Sequence, residues 1–122
     1  MKKILFITII IGSLFGSAMA DETRKRPLTL KDQVNEMRAE VPKRFACMIS
    51  NMKSDFPNDK NTQLYVLKMQ VEAFWQIREN NFPRQTIVKA FEDFPCDFNT
   101  ALFQIKMDMT ASSEMNDLLG GK

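Results

Sequence analysis

The residue types that usually carry chemistry are scarce in this chain of 122 residues. It contains no histidine, so it lacks both the side chain most often used as a general base near neutral pH and the commonest metal ligand. Its two cysteines are Cys47 and Cys96. In an oxidising compartment an isolated pair is most simply one disulfide, which leaves no thiolate for catalysis or metal binding. We therefore expect a protein that is not an enzyme and that holds no metal or cofactor.

Copper binding is one alternative that the remaining side chains allow. Methionine thioethers can bind Cu(I), and the pairs Met48 with Met52 and Met107 with Met109 have suitable spacing. On a helical wheel, however, Met48, Met52 and Met109 lie on apolar stripes, where methionine ordinarily fills the core. We interpret these residues as packing residues.

A histidine-free enzyme is the second alternative. Small exported all-helical chorismate mutases position a pericyclic reaction electrostatically, with arginine, lysine, glutamate and glutamine. The groups that could do this here are Arg38, Lys68, Gln70 and Arg78. The helical wheel places all four on faces turned to solvent, so the pattern favours ordinary surface residues.

The first twenty residues predict export. Lys2 and Lys3 precede an apolar run over residues 4–15, and a small-x-small cleavage site follows at residues 18–20. This is the layout of a bacterial secretory signal peptide, and the apolar run is too short for a membrane span. We expect cleavage after Ala20, a periplasmic location and no membrane contact for residues 21–122, which form a single domain. The alternative is that residues 1–20 are retained as an N-terminal membrane anchor.

The charge balance of residues 21–122 argues against nucleic-acid binding. The chain has 17 basic and 15 acidic residues, and two of the basic ones lie in the signal peptide, so the signs balance in the remaining domain. A nucleic-acid binder would need a basic face. The basic run at residues 24–26 is interpreted as a frayed, solvated leader.

The spacing of apolar residues and prolines predicts an all-α fold, a small bundle of four to five helices with one disulfide. No strand pattern and no internal repeat is identified. Residues 110–122 are interpreted as a flexible tail, with one turn over residues 114–119. The predicted helices cover residues 30–40, 43–54, 62–79, 84–94 and 98–109.

Cys47 lies on the polar side of the second predicted helix, opposite the stripe that contains Phe45, Met48 and Met52. If Cys47 pairs with Cys96, the chain around Cys96 must clamp the back of this helix. The third predicted helix is apolar on two sides, which is typical of a central helix.

Several elements of the sequence resemble a known family. An aromatic residue precedes a cysteine at the start of a helix, a helix containing Gln-Leu follows, then a Phe-Pro break, and a last helix ends in Phe-Pro-Cys. These elements are FACMIS at residues 45–50, NTQL at 61–64, NFP at 81–83 and IVKAFEDFPC at 87–96. The pattern is similar to the Rap/Tai type of periplasmic immunity proteins, which protect bacteria against cell-wall amidase effectors of type VI secretion.

The resemblance implies an all-helical fold with Cys47 paired to Cys96, and a function that needs no catalytic group. An immunity protein binds its toxic partner, here a peptidoglycan amidase effector, and blocks the substrate cleft. An acid-stress chaperone is the alternative, because small exported helical proteins with one disulfide include such chaperones. That alternative needs carboxylates that become neutral on acidification.

Two surfaces are candidates for partner binding. An inhibitor blocks a cleft best with a protruding loop held by rigid elements. The loop over residues 56–61 fits this description, with Phe56 as an anchor and Asn58, Asp59 and Lys60 as polar contacts. Phe103 and Met107 form the second candidate surface, which would suit a homodimer. The alternatives are an ordinary solvated loop for the first and coverage by a neighbouring helix or by the tail for the second.

Overall fold

Five helices make up residues 25–120, the part of the chain that the computed structural model describes. This range contains no strand, so the predicted all-α bundle is confirmed. The predicted signal peptide, residues 1–20, lies outside the described residues. Within residues 25–120, no helix has both the length and the apolar character that crossing a membrane requires. The helices are α1 (Leu30–Glu40), α2 (Pro42–Asp55), α3 (Lys60–Glu79), α4 (Arg84–Asp93) and α5 (Phe98–Leu118).

Helix starts are fixed by capping side chains and prolines. The Thr29 hydroxyl accepts from the backbone N–H of Asp32 at the start of α1. Pro42 occupies the first turn of α2, where its missing N–H costs nothing. The third helix begins at Lys60 rather than at the predicted Thr62, because Asp59 caps it.

α5 is longer than the sequence predicts. The interpretation of residues 110–122 as a tail with one separate turn differs from the structure, in which α5 continues unbroken to Leu118. No proline or glycine interrupts residues 98–119, and Gly120 then ends the helix with a φ of 83°. Residues 109–120 are all exposed, so this half of α5 contributes no residue to the core.

α3 is the central helix, as predicted. It packs against α1, α2 and α5, and most of its second half is buried, while Glu72 and Glu79 are exposed. Trp75 and Phe74 are fully buried with their ring centroids 5.3 Å apart, and Phe74 lies 6.0 Å from Phe98 of α5. The first half is less covered: Leu64 is 48% exposed. Met109 of α5 was assigned to the core face but is 38% exposed.

The disulfide joins α2 to the chain segment between α4 and α5. Cys47 and Cys96 are bonded with their Cα atoms 5.6 Å apart, so the predicted pairing is confirmed. The clamp on the back of α2 is also confirmed: Arg44 donates to the carbonyl oxygen of Pro95 at 2.7 Å and lies over the ring of Phe91. Burial lowers the pKa of Arg44.

The structure exposes a repeat that the sequence interpretation missed. Residues 55–69 and 93–107 each contain the end of one helix, a tight corner and the start of the next, and nine of the fifteen paired positions are identical. The spacing is 38 residues, which is one helix–corner–helix unit. The identical pairs are Asp55/Asp93, Phe56/Phe94, Pro57/Pro95, Asp59/Asp97, Asn61/Asn99, Thr62/Thr100, Leu64/Leu102, Lys68/Lys106 and Met69/Met107.

Candidate partner-binding surfaces

The first candidate surface is a tight corner, which we call the Asp59 corner (residues 56–62). The sequence predicted a protruding loop, but only residues 56–59 lie between α2 and α3. The carbonyl oxygen of Phe56 accepts from the backbone N–H of Asp59 at 3.3 Å and from the Gln63 side chain at 2.8 Å. These bonds fix the backbone of the corner at the start of α3, and its role as a partner-binding surface stays a prediction.

The four predicted contact residues of this corner are all solvent-accessible. Phe56 is 37% exposed, and Asn58, Asp59 and Lys60 are exposed. Asn58 has a φ of 62°, a left-handed conformation that asparagine tolerates better than most residues. The corner therefore presents one aromatic ring and three polar side chains on a fixed backbone.

Asp59 serves as the helix cap within this surface. Its carboxylate accepts from the Thr62 hydroxyl at 2.7 Å and from the Thr62 backbone N–H at 3.1 Å. These two bonds, the hydroxyl bond first, lower the pKa of Asp59. The residue is thus ionised at neutral pH and is positioned by the backbone that it caps.

The second corner of the repeat, the Asp97 corner (residues 94–100), repeats this geometry. Asp97 accepts from the Thr100 hydroxyl at 2.6 Å and from the Thr100 backbone N–H at 3.1 Å, within 0.1 Å of the distances at Asp59. The backbone N–H of Asp97 points to the carbonyl oxygen of Phe94 at 3.5 Å, as that of Asp59 points to Phe56. The two corners are therefore one structural motif used twice.

The Asp97 corner has an additional partner. The Gln70 side chain of α3 donates to Asp97 Oδ1 at 2.9 Å and accepts from the backbone N–H of Asn99 at 3.2 Å. Burial of Asp97 acts to raise its pKa, but the hydrogen bonds from Thr100, Gln70 and the Asn99 N–H outweigh it and lower the pKa. This corner is covered by α3, whereas the Asp59 corner is not.

Phe103 and Met107, the second candidate surface, lie one turn apart on α5 and are 62% and 52% exposed. A neighbouring helix does not cover them within residues 25–120. Near Phe103, the side chains of Asn99, Leu102 and Lys106 line a shallow depression of about 290 Å³. The apolar exposure continues along the same helix to Leu118, which is 80% exposed.

The two candidate surfaces are not brought together. α3 and α5 run parallel, because Gln70 contacts Asp97 and Gln76 accepts from Lys106 further along both helices. At 1.5 Å per residue, the ten residues from Lys60 to Gln70 and the six from Asp97 to Phe103 separate the surfaces by about 24 Å along the helix axis. A single small contact cannot use both.

Two of the residues weighed for catalysis are buried, contrary to the helical-wheel assignment. Gln70 and Arg78 are each only 8% exposed. Arg78 Nε lies 2.9 Å from Glu40 Oε1 of α1, and its guanidinium lies 5.8 Å from the centroid of the Trp75 ring. Their partners are helix ends and carboxylates of the fold itself, so both residues stabilise helix packing rather than line a cleft.

The other two residues of that group are exposed, as the wheel assigned them. Lys68 faces solvent, and the Arg38 guanidinium lies over the ring of Phe45. The four groups therefore do not converge on one site. Between residues 25 and 120, no cluster of three or more His, Cys, Asp or Glu side chains could hold a metal ion. Met48 and Met52 are buried in the core.

The segment before α1 is held to α3 by ion pairs of Arg26. Arg26 was interpreted as part of a frayed leader, but its guanidinium pairs with Glu72 at 2.7 Å and with Glu79 at 2.8 Å on α3. The hydrogen bonds that Arg26 donates to Glu79 and then to Glu72 raise the pKa of Arg26, and the bond from Arg26 lowers the pKa of Glu72. A bidentate arginine between two carboxylates therefore anchors the chain entry to α3.

Comparisons with known proteins do not assign the chain to a family. No family model, no curated protein and no solved structure matches it.

Proposed function

We propose that this protein is a periplasmic immunity protein that binds a peptidoglycan amidase effector of type VI secretion and blocks its substrate cleft. The protein acts by binding alone and performs no catalysis. Residues 21–122 are the exported form, released by cleavage after Ala20.

The observation that carries this proposal is the disulfide. The residues of the family resemblance begin beside Cys47 and end at Cys96, and these two cysteines are bonded. A disulfide is typical of an exported protein, which agrees with the signal-peptide pattern of residues 1–20. The same bond makes α2 and the Asp97 corner one rigid unit, and rigidity lowers the entropic cost of binding.

We assign the amidase contact to the Asp59 corner. Its backbone is fixed by the bonds to Phe56 and Asp59, and it carries an accessible aromatic ring next to Lys60 and Asn58. Aromatic side chains on rigid elements are common anchors in protein interfaces. Phe103 and Met107, about 24 Å away along the helix axis, are assigned to a homodimer contact instead.

The test is capture and inhibition. The oxidised protein is immobilised and exposed to periplasmic and secreted fractions of its own strain and of competing strains. We expect it to capture a peptidoglycan amidase, whose release of peptide from purified peptidoglycan then falls in proportion to added protein until both are equimolar. Phe56→Ser should weaken this inhibition at least tenfold, and the control Phe103→Ser should leave it unchanged.

Two results contradict the proposal. Capture of many unrelated proteins, mainly at low pH, would favour the acid-stress chaperone. Capture of an amidase whose activity does not change would exclude inhibition as the purpose of the complex.

A further inference from the structure

The repeat supplies a template for what can bind at the Asp59 corner. In the second copy, one turn of α3 lies across the Asp97 corner: Gln70 bridges the Asp97 carboxylate and the Asn99 N–H. One turn later, Phe74 contacts Phe98 with a centroid distance of 6.0 Å. A helix that presents a carboxamide therefore fits this motif, and the fit is seen within the molecule.

The first copy has the same recognition elements without the helix. Among residues 25–120, the carboxylate of Asp59 accepts hydrogen bonds from Thr62 alone. Leu64 is 48% exposed, whereas its equivalent in the covered copy, Leu102, is 6% exposed. The Asp59 corner thus has the same motif as the Asp97 corner, but within residues 25–120 no helix covers it as α3 covers the Asp97 corner.

One difference between the copies indicates the chemistry of the missing helix. Lys60 is exposed at the position that corresponds to the buried Phe98. In the second copy, Phe74 of α3 lies one turn after Gln70 and contacts Phe98. A helix bound in the same way at the Asp59 corner would place the residue one turn after its carboxamide beside Lys60. A carboxylate at that position complements the lysine charge.

We propose that the Asp59 corner binds an α-helix of the partner protein that carries a glutamine and, four residues later, an aspartate or glutamate. The glutamine bridges the Asp59 carboxylate and the backbone N–H of Asn61, and the acidic residue pairs with Lys60. Apolar side chains of the same helix cover Leu64 and Phe56. This inference rests on the proposed function, because it identifies which element of the inhibited enzyme makes the contact.

The experiment uses a peptide of α3 itself as the probe. The peptide covers residues 66–79 with the substitution Phe74→Glu, and a lactam between Lys68 and Glu72 keeps it helical. Both lactam residues are exposed in α3 and four residues apart, so the bridge lies away from Gln70. Binding to the ¹⁵N-labelled, oxidised protein is followed by NMR chemical-shift changes.

We expect the peptide to shift the resonances of residues 56–65. Replacing its glutamine, the counterpart of Gln70, by alanine should weaken binding about tenfold, and so should Leu64→Ser in the protein. Leu64→Ser changes an accessible side chain, and its matched control is Phe103→Ser, which should bind the peptide unchanged.

Three results would overturn the inference. They are the absence of shifts, shifts centred on Phe103 and Met107, and affinity that does not depend on the peptide glutamine. If residues 56–65 shift with protein concentration in the absence of peptide, the occupant is a second copy of the chain and the inference is also wrong. Because no amidase is present, these outcomes are independent of the inhibition test of the proposed function.

Discussion

Replacing Gln70 by alanine should destabilise the protein more than its position on the helical wheel suggests. Gln70 is 8% exposed and makes two hydrogen bonds across the α3–α5 contact, one of them to the ionised Asp97. A hydrogen bond to a charged group contributes about 1.5–3 kcal/mol and a neutral one about 1 kcal/mol. Water can reach the N–H of the exposed Asn99 after truncation, which reduces the loss. We expect a net loss of about 2 kcal/mol in the free energy of unfolding.

The assay is urea unfolding of the oxidised protein. Trp75 is the only tryptophan and is 1% exposed, so its fluorescence reports the opening of the core around α3. The midpoint should fall while the slope with urea stays constant, because the surface exposed on unfolding hardly changes.

Gln76→Ala is the matched control for this truncation. Gln76 lies on the same helix, and its side-chain hydrogen bonds, to Glu72 and Lys106, are exposed. The control should cost less than about 1 kcal/mol. If both variants lose the same free energy, the bridge between α3 and the Asp97 corner does not contribute as the geometry indicates.

Three further predictions concern the disulfide, the half-buried carboxylate of Asp97 and the ion pairs of Arg26. Replacing Cys47 and Cys96 by alanine opens a loop with a sequence separation of 49 and should cost about 4 kcal/mol; reductant should lower the melting temperature of the native protein but not of the variant. The pKa of Asp97 is lower in the folded state than the unfolded value of about 3.9, so its stabilisation is present above pH 4 and lost as the pH falls through the folded pKa. The unfolding free energies of Asp97→Asn and of the native protein should therefore differ at pH 7, and this difference should become smaller below pH 4. A difference in unfolding free energy that does not change with pH would exclude this linkage. Arg26→Ala should cost less than about 1 kcal/mol, and the loss should shrink at high salt, as measured by urea unfolding with and without added NaCl.

The sequence predicts the helices well because helix starts and ends depend on nearby residues, and it also predicts the disulfide. Thr29 and Asp97 identify themselves as caps by residue type and position, and Pro42 fits only the first turn of a helix. The cysteine pairing follows from there being only two cysteines. The α5 end was placed too early because exposed polar residues were interpreted as a tail, although residues 98–119 contain no helix breaker.

The burial of polar side chains could not be predicted by treating each helix alone. A wheel assigns Gln70 and Arg78 to a polar face, but neighbouring helices cover both positions of the central helix, so both residues must find partners within the fold. The apolar residues around Gln70 and Arg78 indicated that these two side chains would be buried, because α3 was already predicted to be apolar on two sides. The open Asp59 corner depends on which helix covers which corner, and that is a property of the tertiary arrangement.

The bond between Cys47 and Cys96 also closes a covalent ring in the chain. α3 and α4 lie entirely inside this ring, whereas α1 and α5 lie outside it. A protease that cuts one peptide bond inside the ring therefore releases no fragment, and the cut molecule differs in mass from the intact one only by a water. A cut before Cys47 or after Cys96, by contrast, leaves the terminal fragment without a covalent link to the rest of the chain.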